Sequence, residues 1–191
     1  MKYYFVIIIY FFLFSLIAED NFTNYKEQII NIESSIRDTT KRLKSTLINA
    51  LKNNDINEAI KVCNISALEI TDLNESDDIS IIRKSLKYRN DKNAPNYLEK
   101  EVLTYFKNNN ISSLKSFEEL KFIKIINENK IKKIFYMKAI PTKEICLTCH
   151  GKNIDEQLMK TIKSIYPNDR AIGYSKGDIR GAFVVYKKLK N

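Results

Sequence analysis

Cys146-Leu147-Thr148-Cys149-His150 constrains this chain more than any other stretch, because it dictates a chemistry that the other residues must fold around. Two thiols three residues apart, followed directly by an imidazole, form the attachment site of a c-type haem. The thiols add across the two haem vinyl groups and become thioethers. The next residue is carried under the iron, where a neutral imidazole nitrogen serves as the proximal axial ligand. His150 is the only histidine in the chain, so no other residue can take that role. A structural zinc site is a weaker reading, since it wants four Cys/His ligands. The chain reaches four only by combining Cys63 with Cys149 and His150, which are adjacent and poorly placed to share one tetrahedron. A thioredoxin-like dithiol sits at a helix start after a strand. Here the motif follows a loop containing Pro141 and precedes a helical pattern, so the residues alone leave that redox-disulfide alternative open.

A length of 191 residues with 44% hydrophobic residues gives one domain with an added helical segment. Residues 1–18 read as a secretory signal peptide: Met1-Lys2, an uncharged apolar and aromatic run from Tyr3 to Phe14, then Ser15-Leu16-Ile17-Ala18. The run is shorter than the ~20 residues that span a bilayer comfortably. Ala18 suits the last position before cleavage, but Leu16 is large for the position two before it, and an uncleaved anchor is the alternative. Bacterial c-type cytochromes, which the motif resembles, receive their haem outside the cytoplasm, so export and motif agree. The expected location is the periplasm, or the periplasmic side of the inner membrane if the segment is retained. The net charge is +9. Its lysines alternate with Asp, Glu and Asn, no long run of one sign occurs, and no nucleic-acid motif is present. This patterning reads as a solvated surface, with a basic docking face for an acidic redox partner as the functional alternative. No nucleic-acid partner is expected, and membrane contact only through the N-terminal segment.

Asp20 to Asn53 reads as a long helix free of Pro and Gly, with Ile29, Ile30, Ile32, Ile36, Leu43, Leu47, Ile48 and Leu51 on one stripe. Asp55 with Glu58 forms a capping box for a second helix carrying Ile56, Ala59, Ile60, Cys63, Ala67 and Ile70. Together they predict a helical hairpin over residues 19–78. Ile79 to Tyr88 alternates as a strand. Pro95 opens a helix running to about Asn108, with Leu98, Val102, Leu103 and Phe106 inward. A helical turn at Ser113 to Leu120 precedes two strands, Lys121 to Asn127 and Lys130 to Ile140, joined around Asn127-Glu128-Asn129 without the usual glycine. Phe122, Ile125, Ile126, Ile131, Ile134, Tyr136 and Met137 supply their buried faces. Ile154 to Tyr166 reads as a helix stopped by Pro167, and Ile179 to Leu189 as a closing strand. This order predicts an α+β fold, a mainly antiparallel sheet with flanking helices, over residues 79–191.

Ile60-Lys61-Val62-Cys63, Ser85-Leu86-Lys87-Tyr88-Arg89-Asn90, Asn93-Ala94-Pro95-Asn96, the Cys146–Gly151 motif, Tyr166-Pro167-Asn168-Asp169-Arg170-Ala171-Ile172-Gly173-Tyr174 and Lys176-Gly177-Asp178-Ile179-Arg180-Gly181-Ala182-Phe183 occur in that order. As an ordered set the chain resembles the family of single-haem, c-type cytochromes with a PAS-like α+β fold. The resemblance implies one covalent haem c and a cysteine on an N-terminal helix as second axial ligand, at the position of Cys63. Independently, Cys63 is the thiol left over in an exported protein once Cys146 and Cys149 are thioethers, although an ordinary buried cysteine or an intermolecular disulfide are alternatives. Met137 and Met159 are competing sixth ligands; methionine raises the potential whereas thiolate lowers it. Lys87, Arg89 and Arg180 are candidate partners for the haem propionates, each equally readable as a surface or turn-stabilising charge. The function expected is electron transfer or redox sensing in the periplasm, with an unidentified redox or signalling partner. The alternative is an NO/CO sensor module; no output domain follows Asn191, so its signal would pass to a separate partner. An enzyme is not expected, since peroxidase chemistry needs an open iron face with a distal acid/base group and the chain has no second histidine.

Overall fold

The computed structural model describes residues 2–53, 59–60, 79–109 and 120–189. The chain divides into two units, Met1–Asp38 and Thr39–Asn191. The first is the leading part of helix α1 (Lys2–Lys52), whose last turn places Lys52 beside the negative carbonyl end. α1 runs without a break through both the apolar N-terminal run and the stripe expected from Asp20. Of the second helix in the expected hairpin, Ala59 and Ile60 are described and helical. Ala59 packs with Ala50, Leu47 and Leu51 of α1. Cys63 and most of the turn expected at Ser113 to Leu120 lie outside the described residues.

The second unit is built on an antiparallel sheet of β1 (Ile79–Lys84), β2 (Lys121–Glu128), β3 (Ile131–Pro141) and β4 (Ile179–Lys188), in the order β1-β4-β3-β2. The two central strands carry unbroken apolar runs, because both of their faces are covered: Ile134-Phe135-Tyr136-Met137 and Ala182-Phe183-Val184-Val185 are all buried. β2 sits at the edge and alternates. Phe122 and Ile126 face the core, whereas Ile125 is 43% exposed and Ile131, at the start of β3, 41%. The alternation predicts both inside; Ile125 is exposed because β2 is an edge strand, and Ile131 because it opens β3 beside the hairpin turn, ahead of the residues that pair with β4. Met137 is fully buried against α2 (Tyr97–Asn108), among Val102, Leu103, Phe106, Phe135 and Val184, and so serves as core packing.

α2 begins at Tyr97, two residues after the Pro95 expected to open it. Asn96 caps the Glu99 amide and the Glu99 carboxylate accepts from the Asn96 amide at 2.7 Å, a complete capping box. Glu99 is 1% exposed, so its other oxygen also needs a donor, and Tyr186 Oη supplies it at 3.0 Å from β4. Burial first, then the Glu99 carboxylate, push the Tyr186 phenol up to about 12, while Asn96 acts the other way. A phenol raised in the folded state contributes stability that is complete below its ordinary pKa of 10 and is lost as pH rises through about 12. Over that window the wild type should lose stability faster than Tyr186→Phe, as read from urea midpoints at stepped pH. Parallel curves would show that the phenol is not so held.

β2 and β3 are joined by a two-residue turn at Asn129-Lys130, with φ of 51° and 64°. Two successive positive φ values mark the type I′ turn that matches strand twist. Asn tolerates the left-handed region, whereas Lys there costs about 1–2 kcal/mol relative to glycine. Lys130→Gly should therefore raise the unfolding free energy by roughly 1 kcal/mol, measured by chemical denaturation; a loss of stability would contradict the turn assignment.

Candidate functional site

β3 delivers the chain through Thr142 and Lys143 into α3 (Glu144–His150), a short helix bearing Cys146, Cys149 and His150. Its base is pinned to the approach to β4: the Thr142 amide donates to Asp178 O at 2.8 Å and the Gly177 amide to Thr142 O at 2.9 Å. Gly151 ends the helix, its amide donating to Leu147 O at 2.8 Å. A Cβ there would lie 2.5 Å from that same carbonyl oxygen, so only glycine fits directly after the histidine.

Cys146 and Cys149 are half-buried and are not joined in a disulfide. Three residues apart on a helix, they lie on the same side of it. Cys149 packs into an apolar cluster of Ile60, Leu158, Ile162 and Tyr166, flanked by Ile154. Leu158 and Ile162 of that wall come from α4 (Glu156–Ile165), capped by Asp155 Oδ1 on the Leu158 amide at 3.0 Å and ended before Pro167.

His150 is 3% exposed. Its Nδ1 lies 2.6 Å from the carbonyl oxygen of Ala171. Burial lowers the imidazole pKa well below its ordinary value, and the positive fields of Arg180 and Arg89 add to this, with the Ala171 bond opposing them. The ring is therefore neutral at pH 7. Its proton sits on Nδ1, where it donates to Ala171, and the lone pair is left on Nε2. This leaves Nε2 as the ring nitrogen with a lone pair to offer a metal.

The carbonyl that holds it belongs to a strap, residues 169–174, laid along the end of α3. The Gly173 amide donates to Gly151 O and the Tyr174 amide to His150 O, both at 2.9 Å. Gly173 has φ of +76°, which a side chain would resist. The Tyr174 ring meets the imidazole edge-on, with centroids 6.4 Å apart. Asp169 Oδ1 accepts from the Ala171 amide at 2.8 Å, fixing the turn that presents the Ala171 carbonyl.

The three candidate cations take different places. Lys87 lies on the outside of the strap, its Nζ donating to Ile172 O at 3.2 Å and standing 5.2 Å from the Tyr174 ring centre. Arg180 is half-buried, and its field reaches the imidazole. Arg89 is inside: Nη2 donates to Cys149 O at 2.6 Å and stands 3.0 Å from Asp169 Oδ2. The side chains of that ion pair are 8% and 4% exposed. Arg89 Nε and Asp169 Oδ2 are nonetheless buried without a hydrogen-bond partner, so the pair is held by charge rather than by aligned bonds. Sequence reasoning had not singled out Asp169 or Ala171. The turn-forming Pro167-Asn168-Asp169 run was a signal for the first. Ala171 acts through its backbone, so its side-chain type carries none.

The Tll0287-like family model matches residues 15–187. Among solved structures, the crystal structure of the cyanobacterial heme-protein Tll0287 superposes with a TM-score of 0.60 at 23% identity, over 82% of this chain and 94% of that one. No curated protein matches the chain significantly. At that identity the superposition speaks for the fold, an α+β arrangement compatible with the PAS-like class. Since the family match takes in the whole sheet from β1 to Lys187 together with α3 and the strap, the chain belongs to the Tll0287-like family.

Proposed function

We propose that the protein carries one haem, bound through Cys146 and Cys149 with His150 as proximal ligand, and that it serves electron transfer or redox sensing outside the cytoplasm. The observation that carries this reading is the buried His150, held by Ala171 through Nδ1 with its lone pair on Nε2, on the same short helix as two half-buried cysteines that form no disulfide. The haem named for the cyanobacterial relative supports it. When bound, the haem supplies a one-electron iron couple. The chain's own residues do the rest. Cys146 and Cys149 tether, His150 ligates, and the Cys149 cluster offers an apolar wall. Arg180 and Lys87 supply positive charge for propionates, whereas Arg89 is spent on Asp169 and the Cys149 carbonyl.

Cys63 is proposed as the second axial ligand. Ile60 packs in the same cluster as Cys149. Ile60 precedes Cys63 by three residues in the sequence. Two protein ligands close the iron to substrates and favour electron transfer or sensing over catalysis. The test is a set of visible and EPR spectra of the purified, exported protein in both oxidation states, with CO and NO titrations. Six-coordinate low-spin iron, inert to CO and altered in Cys63→Ala, is expected. An unchanged low-spin spectrum in that variant would remove Cys63 from the iron. Rapid gas binding with loss of the thiolate signature would instead make the protein a gas sensor.

A further inference from the structure

We infer that Asp169 and Arg89 are positioning residues that set the reduction potential of the iron through His150; this rests on the haem reading above. His150 hangs from one carbonyl, Ala171 O, at 2.6 Å. Residue 171 is itself pinned by its amide to Asp169 Oδ1 at 2.8 Å. The Arg89 guanidinium then joins the two sides of the site. One nitrogen, Nη2, holds the strap through Asp169 Oδ2 and the motif helix through Cys149 O, the carbonyl directly before His150. Arg89 and Asp169 thus form a buried clamp that fixes where the Ala171 carbonyl meets the imidazole. A firm bond from Nδ1–H makes the imidazole a stronger donor to the metal and favours the ferric state. The clamp is also one cation and one anion with little water around them, so each acts on the iron's charge with little screening.

The two halves should therefore act in opposite directions. Asp169→Asn removes the anion, loosens residue 171 and leaves Arg89 uncompensated, and all three effects disfavour the ferric state. Arg89→Gln loosens the clamp as well, but it leaves the buried Asp169 carboxylate unopposed, and that charge effect outweighs the loosening and favours the ferric state. In potentiometric titrations of the haem-loaded protein, the reduced-to-oxidised ratio at the wild-type midpoint should rise about ten-fold in Asp169→Asn, or ~59 mV for a one-electron couple. It should fall several-fold in Arg89→Gln. Both shifts should persist at high salt, whereas the shift of an exposed control, Lys152→Gln, should vanish there. A purely structural clamp would lower the stability of both variants without moving their potentials apart. Potentials within two-fold of wild type, or displaced the same way, overturn the inference. Should Arg89→Gln fail to fold, the near-isosteric Asp169→Asn decides alone by its upward shift or the lack of one. A colourless protein would count against the haem reading, whereas a loaded protein with an unmoved potential counts only against the clamp.

Discussion

Cys146→Ala/Cys149→Ala protein, produced in a host that matures c-type cytochromes, should release all of its haem into acidified organic solvent, whereas wild type retains it. The effect is all or none because a thioether is a covalent bond and nothing else on α3 can form one. His150 should survive the change, since its position comes from Ala171 and from the strap's bonds to His150 O and Gly151 O rather than from the thiols. The double variant should then bind haem reversibly, through the imidazole and the apolar wall. Each single variant should keep one thioether and still stain for haem on a denaturing gel. Folding should be affected little. Cys146 is half-buried, and truncating Cys149 in its cluster removes one sulfur's packing, a cost of about 1 kcal/mol. Haem staining of the double variant would place the attachment elsewhere in the chain.

Arg89→Met should be the most destabilising single change around the site. The guanidinium and the Asp169 carboxylate are both buried, and removing one partner leaves the other as an uncompensated charge away from water. Such breaks cost about 3–5 kcal/mol, a large part of the 5–15 kcal/mol that stabilises a typical domain. The Cys149 carbonyl also loses its donor. Adding Asp169→Asn to Arg89→Met should recover more than half of the loss, because the stranded charge goes with it. Urea unfolding of the two single variants and the double variant reads this directly. If the losses simply add, Arg89 and Asp169 are not coupled and the ion pair contributes nothing to the fold.

The elements that declare themselves in the sequence are those whose signals are local. Pro95 lies two residues before the start of α2 at Tyr97, and Pro167 lies two residues past the end of α4 at Ile165. The α+β class and the central strands follow from apolar runs such as Ile134 to Met137. The depth of Ile125 is not legible because strand order, which makes β2 an edge, is a tertiary fact, and that of Ile131 because it depends on where β4 stops pairing with β3. The hairpin turn fell at Asn129-Lys130 rather than around Asn127-Glu128-Asn129, since lysine gives no hint of a positive φ. α1 runs on from residue 2, and no Pro or Gly interrupts the sequence between the apolar N-terminal residues and the later stripe. At the site, the thiols and the imidazole were legible because their chemistry needs those side chains at that spacing. Their support was not. Ala171 works through a carbonyl that any residue owns. Arg89 and Asp169 meet across a long stretch of chain, with no local pattern to pair them.

The decisive measurement is the intact mass, under denaturing conditions, of the protein produced in a host that matures c-type cytochromes. The expected value is the polypeptide mass plus one haem, with the added mass borne on the peptide that contains Cys146 and Cys149. A mass equal to the bare polypeptide, from a host that attaches haem to a control cytochrome in the same experiment, would contradict it.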